Sequence, residues 1–304
     1  MLTTRYRFGK SLPTFSNRDH FMANSDIRTH FAGRPVPVIF SDLDGTLLET
    51  HSYSFESSRL AIQSVLRRGI PLIFCSSKTR LEQEFIQRRL GFRAPFITEN
   101  GGAIYIPQNF FEVEIDFPHR TASGYHIIEL GVPYAEVRQA VVDIRNRLGL
   151  KLLGYGDLPL TEICMMTGLE PPAVGRAARR EYSESLHPRF VTAEELNLVQ
   201  QHLKEYGLRG TLRERFFIIS GANTDKGRAV AILSEIFRKA YGRITTYGLG
   251  DGSNDIPLLS AVEHPILVQK PDKSWESMNI PGLLRMEGVG PIGWEAAIRK
   301  KLGI

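Results

Sequence analysis

A chain of 304 residues, 42% hydrophobic and 23% charged, has the make-up of an ordinary globular protein and suits two modest domains. No apolar run approaches the ~18 residues of a membrane-spanning helix, and Cys75 and Cys164 fit neither a metal spacing nor a disulfide framework, so both read as core thiols of a reducing, cytoplasmic compartment. The net charge of +5 is concentrated in residues 1–34, where six basic residues face two acids; the remaining 32 basic and 31 acidic residues give no expectation of a nucleic-acid surface on the folded body.

Residues 1–34 are polar, rich in Arg, Ser and Thr, and lack an apolar stretch. They do not read as a secretory signal; a disordered basic tail is expected, with Met22 as an alternative start. The first strong element follows. Val38-Ile39-Phe40 has the β-branched and aromatic character of a buried parallel strand and runs into Asp42-Leu43-Asp44-Gly45-Thr46. Acids just past the carboxyl end of such a strand lie where open α/β sheets bind ligands. Two carboxylates one residue apart repel, and a hard cation such as Mg2+ relieves the repulsion. The competing reading is a polar turn at a strand end. This stretch resembles motif I of the haloacid dehalogenase-like (HAD) phosphohydrolases. The resemblance implies that Asp42 is the nucleophile forming an aspartyl-phosphate, and Asp44 the general acid and base.

A helix over about Leu60 to Leu66 is expected to end at Gly69, followed by a buried strand from Ile70 to Cys75. The Ser76-Ser77-Lys78-Thr79 stretch after it resembles motif II, with Ser76 as the phosphate-binding hydroxyl; Ser77 and Thr79 also fit a helix N-cap. A helix from Leu81 to Leu90 stops at Gly91, and two short strands flank the turn Asn100-Gly101-Gly102. Phe111 to Phe117 alternates apolar and acidic residues, which predicts a half-exposed antiparallel strand and the start of a second domain near residue 108. That domain is expected to contain a strand over Tyr125–Leu130 and a helix from Pro133 to Gly149. Helices are expected at Leu160–Thr167, Ala173–Tyr182 and Ala193–Tyr206, and an exit strand at Phe216–Ser220.

The helix opening at Asn223-Thr224-Asp225-Lys226-Gly227 carries a lysine in its first turn, against the helix dipole. Such a lysine suits a bound anion at the helix start, with a solvated surface lysine as the bland alternative. Gly248, Gly250 and Gly252 do not complete a dinucleotide fingerprint, because Ser253 stands where a third glycine is required, and no Walker pattern occurs. The stretches instead resemble motifs III and IV of the same family. The resemblance implies Lys226 beside the phosphate, Asp42, Asp44 and Asp251 on Mg2+, and Asn254 and Asp255 behind them as supports.

The order of these motifs resembles the subgroup of HAD enzymes with an α/β cap between motifs II and III. The implied fold is a doubly wound parallel-sheet core, residues 35–108 and 216–304, with an inserted α/β cap at 109–215. Within it, His51-Ser52-Tyr53, Ser76-Ser77-Lys78-Thr79-Arg80, Glu99-Asn100-Gly101-Gly102, Arg179-Arg180-Glu181-Tyr182-Ser183-Glu184 and Gly290-Pro291-Ile292-Gly293-Trp294 are similar to the mannosyl-3-phosphoglycerate phosphatase family, over roughly residues 36–302. That family dephosphorylates a glycosyl-phosphoglycerate to the compatible solute mannosylglycerate. The implied partner is thus a small phosphorylated glycoside, with no nucleic acid or membrane.

Substrate contacts are expected from Lys78, Glu99, Asn100 and Gly101 in the core. In the cap, Arg180 is expected on the carboxylate and Glu181, Ser183 and Glu184 on sugar hydroxyls. The alternative for Arg179-Arg180-Glu181 is a solvated helix end with favourable C-terminal cations. Mannose and glucose are not distinguished. A capped phosphatase for a sucrose- or glucosylglycerol-type phosphate, and a non-catalytic binding protein on the same fold, are the competing readings. The cap is expected to choose the substrate by closing over the core.

Overall fold

The computed structural model describes Ile27 and residues 30–187, 191–212 and 216–304. Most of the basic segment, Met22 included, lies outside these residues. The part that is described is packed: Ile27 is 3% exposed in the main core and Phe31 packs on the same cluster.

The main body is one nine-stranded sheet in the order β12-β11-β10-β1-β2-β3-β4-β6-β5. Its centre is β1 (Val36–Ser41), flanked in parallel by β10 (Ile244–Gly250) on one side and β2 (Leu72–Cys75) on the other. The parallel run extends through β11 (His264–Gln269) and β12 (Leu284–Val289) at one end and β3 (Phe96–Thr98) at the other. These strands are apolar because helices cover them; Val38, Ile39 and Phe40 are fully buried. The connecting helices follow their sequence signals. Helix α1 (Arg59–Arg67) is followed by Gly69 at φ 63°. Helix α2 (Arg80–Leu90) begins with a capping box between Thr79 and Glu82 and ends at left-handed Gly91. Of the two cap candidates, Ser77 and Thr79, it is Thr79 that caps the helix.

Beyond β3 the sheet turns antiparallel with β4 (Ala103–Pro107), β6 (Tyr125–Glu129) and β5 (Arg120–Ala122). The strand expected at Tyr125 is present, but it belongs to the large sheet. Phe111–Phe117 is not a strand. Its alternation of burial is real, with Val113, Ile115 and Phe117 packed on the core. The exposed side, however, has no partner strand: Lys239 Nζ instead takes the Glu114 carbonyl at 2.9 Å and the Asp116 carboxylate at 2.7 Å.

A second unit has its own apolar cluster, in which Val137, Val141 and Ile144 meet Val199, Leu203 and Ile219. It contains α3 (Tyr134–Leu148), α4 (Leu160–Thr167), α5 (Pro171–Ala177) and α6 (Ala193–Leu203). Its sheet is β7 (Ser183–Leu186), β9 (Phe217–Gly221) and β8 (Leu208–Leu212), with β9 in the middle. By sheet membership this unit therefore begins after Glu129 and runs to Gly221, instead of spanning 109–215. The alternation of an antiparallel strand states that one face is buried, but not which sheet it joins. Helix α5 ends at Ala177, five residues short of the expected Tyr182; Arg180 and Glu181 are in a connecting segment, not a solvated helix end. The return to the core is α7 (Lys226–Tyr241), capped by the Asp225 side chain, and it packs on β3, β4 and β10. The short α8 (Ile256–Ser260) and the terminal α9 (Pro291–Leu302) complete the body, α9 lying on β11 and β12.

Candidate active site

Strand order reverses at β1, whose neighbours β10 and β2 come from distant parts of the chain, and this is where an open α/β sheet leaves a crevice at its carboxyl end. Asp42 follows β1 and Asp251 follows β10; the Asp42 N–H donates to the Leu249 carbonyl at 2.9 Å, which locks the two strand ends in register. The motif I turn then reaches across. Thr46 Oγ1 donates to Asp251 Oδ1 at 3.1 Å, and a Cβ on Gly45, which is at φ +76°, would stand 2.6 Å from Asp251 Oδ2. Only glycine fits that approach.

Lys226 is 1% exposed, and its Nζ lies 2.7 Å from Asp42 Oδ1 and 2.7 Å from Asp255 Oδ1. The other Asp255 oxygen accepts the N–H groups of Asp251 and Gly252 at 3.0 and 3.1 Å. Asp255 thus has both oxygens engaged by protein donors. It fixes the lysine and the loop carrying Asp251.

The electrostatics follow from burial. Removal from water, and then the Asp255 charge, push the Asp42 carboxyl well above the usual carboxylate range against the pull of Lys226. The same causes raise Asp251 to about 7. Burial alone would depress the Lys226 ammonium, but Asp255 and Asp42 outweigh it and hold the group charged.

Asp42, Asp251 and Asp255 each bring an oxygen within 4.8 Å of the others. One lysine cannot neutralise three acids, two of them buried and Asp251 half-buried, and the free ligand atoms are hard carboxylate oxygens, so the residues fit a hard divalent cation.

Ser76 is 1% exposed at the end of β2, and its Oγ accepts the Lys78 N–H at 3.3 Å, leaving the hydroxyl proton to donate. Lys78 stands at the other side of the crevice. Its Nζ is 3.0 Å from Asp44 Oδ1 in an ion pair, 3.7 Å from Glu82 and 4.5 Å from the Tyr53 ring centre. Asn100 has φ +59° and donates its N–H to the Ser76 carbonyl at 2.9 Å. Its buried Oδ1 has no protein partner, which suits a ligand or water. Gly101 lies against the start of α7: a Cβ there would be 2.2 Å from the Asp225 carbonyl oxygen. Asn254 lies in the short 3-10 turn Ser253–Asp255, beside the acids.

The expected cap contacts are arranged differently. Glu184 is 0% exposed, held by Arg138 at 3.0 Å and Tyr134 Oη at 2.9 Å, and it accepts the N–H groups of Tyr155 and Gly156. Glu181 is held by Arg80 at 3.0 Å and by the Tyr105 hydroxyl, and Ser183 donates to Glu99. These three side chains have internal partners. Arg180 reaches the core: its Nη2 donates to the Ser77 carbonyl at 3.0 Å, within the motif II loop.

Two groups in this region are not among the expected site residues. Thr46 was legible as the residue closing the Asp-Leu-Asp-Gly-Thr run. Tyr155 was not, having no motif; its phenol, pushed up to about 12 chiefly by burial, lies where it feels Arg180, Glu82, Tyr53 and Lys78. Cys75 is a buried free thiol raised by burial, and Cys164 is free and half-buried on α4. Among the described residues no helix is long and apolar enough to cross a membrane.

Comparison with known proteins gives the family and the fold. A profile of haloacid dehalogenase-like hydrolases matches residues 39–126. A glucosyl-3-phosphoglycerate/mannosyl-3-phosphoglycerate phosphatase of Methanococcoides burtonii is 40% identical over 88% of this chain and 97% of its own length. A mannosyl-3-phosphoglycerate phosphatase of Pyrococcus furiosus is 35% identical over 77% of this chain and 91% of its own. Among solved structures, a Thermoplasma acidophilum protein superposes with a TM-score of 0.60 at 14% identity, covering 88% of this chain and 98% of that one. A haloacid dehalogenase-like hydrolase from Bacteroides thetaiotaomicron gives 0.60 at 17%, covering 87% and 98%. At that identity the two structures speak for the fold alone.

Proposed function

The chain belongs to the haloacid dehalogenase-like hydrolases and, within them, to the glucosyl-3-phosphoglycerate/mannosyl-3-phosphoglycerate phosphatases, and on that premise we propose that it releases phosphate from one or both of these glycosides. It is a phosphoric monoester hydrolase, and the glycosylglycerate is the second product. The observation that carries the reading is the meeting of Asp42, Asp251 and Lys226 at the switch point of the sheet.

In the proposed mechanism a carboxylate oxygen of Asp42 attacks phosphorus while the bond to the glycerate oxygen breaks, and Asp44 gives that oxygen its proton. Asp44 then takes a proton from water as the water attacks the aspartyl-phosphate, releasing phosphate and restoring Asp42. Lys226 holds Asp42 in one orientation, and its charge together with the Ser76 hydroxyl suits the phosphate oxygens. Asp42, Asp251 and the Asp44 backbone carbonyl would hold a divalent cation, proposed to be Mg2+, which when bound lowers the charge on the phosphate. Asn254 and Asp255 support that loop. The unit between Glu129 and Gly221 is proposed as the specificity cap, with Arg180 on the glycerate carboxylate and the Asn100 amide and Tyr155 hydroxyl near the sugar. The free cysteines, Cys75 and Cys164, suit the reducing conditions of a cytoplasmic location.

A phosphate-release panel tests the reading: mannosyl- and glucosyl-3-phosphoglycerate, sucrose phosphate, glucosylglycerol phosphate and p-nitrophenyl phosphate. Turnover of at least one glycosyl-3-phosphoglycerate far above the others is expected. Preference for sucrose phosphate, or no turnover of any member, would overturn it.

A further inference from the structure

Arg180 lies within the inserted unit by sequence, yet the segment carrying it is fastened to the core. Tyr182 is part of the main core cluster, its hydroxyl donates to Glu129 at 2.6 Å, and Glu181 is tied to Arg80. At the centre is Glu99, 1% exposed, whose carboxylate accepts the Glu181 N–H at 2.8 Å, the Tyr182 N–H at 3.2 Å and the Ser183 hydroxyl. The Arg180 Nε is 3.6 Å from the same carboxylate and 2.9 Å from Ser183 Oγ. Glu99 has φ +47°, a left-handed conformation that a non-glycine residue keeps only where its surroundings fix it.

We infer that Glu99 is a positioning residue: it acts through Ser183 and the 181–182 backbone to fix the Arg180 guanidinium against the motif II loop, and does not itself bind substrate. With these donors on it, the carboxylate has little capacity left for a sugar hydroxyl. Arg180, by contrast, has five N–H groups, of which the bonds to Ser77 and Ser183 use two. A guanidinium held in advance binds a carboxylate without first losing its own freedom. The cation for the glycerate carboxylate is therefore part of the core's rigid frame, and the remainder of the cap can move without displacing it. This inference rests on the glycosyl-phosphoglycerate reading above.

The test is a double-mutant cycle in kcat/KM on mannosyl- or glucosyl-3-phosphoglycerate, with p-nitrophenyl phosphate as the substrate lacking a carboxylate. Arg180→Ala should cost about 10- to 100-fold on the glycoside, the scale of one charged hydrogen bond. Glu99→Gln should cost about tenfold there, carried by KM, and distinctly less on the aryl phosphate. The double variant should lose no more than Arg180→Ala alone, because Glu99 acts through that side chain. Ser183→Ala, which removes the bridging hydroxyl without stranding a charge, should show the same lack of additivity if Glu99→Gln folds poorly. Multiplying losses, or equal losses on both substrates, would make Glu99 merely structural and overturn the inference. An enzyme active on the aryl phosphate but idle on every glycosyl-phosphoglycerate would overturn the substrate reading itself, and this inference with it.

Discussion

Replacing Lys226 by methionine changes little volume and removes the cation between two carboxylates. Its Nζ is 2.7 Å from both Asp42 and Asp255, and the lysine side chain is 0% exposed, so solvent does not screen the pairs. Taken alone, each attraction at an effective dielectric near 20 amounts to about 6 kcal/mol, most of it cancelled by the cost of bringing the ions out of water. Removing the lysine leaves that cost uncompensated, so a loss of about 3–5 kcal/mol is expected in the absence of metal. Urea unfolding in EDTA measures it, with Trp294 as reporter: this indole is fully buried and donates to Ser41 Oγ at 3.0 Å, one residue before Asp42. Adding Asp255→Asn should recover at least about 1 kcal/mol, because one stranded charge goes with it. A loss below about 1 kcal/mol for Lys226→Met, no larger than for a surface pair, would refute the reasoning.

Asp42→Asn should fold normally and release phosphate at less than about a thousandth of the wild-type rate, since an amide cannot form the acyl phosphate; a rate above that removes Asp42 from the nucleophile's role. Chelation with EDTA should abolish turnover, Mg2+ should restore it, and Ca2+ should inhibit through its looser coordination; a full rate after rigorous chelation counts against the metal site. Gly101→Ala should cost about 2–5 kcal/mol in denaturant unfolding, from left-handed strain plus the clash with the Asp225 carbonyl. The matched control Gly149→Ala, also left-handed but with nothing within 4 Å of the added carbon, should cost only about 1 kcal/mol.

The site was legible where chemistry is local. Asp42, Ser76 and Asp251 each follow a short apolar strand, and strand ends at a switch point converge whatever the details of the fold. Lys226 stood out because its place in the first helical turn is unfavourable without an anion. The partners of Glu99 and Glu184 were not legible, because the contacts span 82 and 46 residues and no spacing rule connects them. The same holds for Tyr125–Glu129, whose pattern specifies a strand but not membership in the large sheet. The helix over Ala173–Tyr182 failed for a related reason: beyond Ala177, Arg180 and Glu181 find partners on the core that a further turn of helix would deny them.

The two places where the chain passes between core and inserted unit, and the segment of that unit fastened to the core, meet at one turn. Gly102 accepts the N–H groups of Leu130 and Gly131, Gly101 abuts the Asp225 carbonyl, and Glu99 gathers residues 181–183. The inserted unit is therefore not a cassette defined by two linkers. Grafting a relative's cap at the two covalent junctions alone would place foreign residues opposite Arg80, Glu99, Tyr105 and Glu129. Those four core side chains would lose the partners that the inserted unit gives them, so recombination among such enzymes has to move them together with the cap.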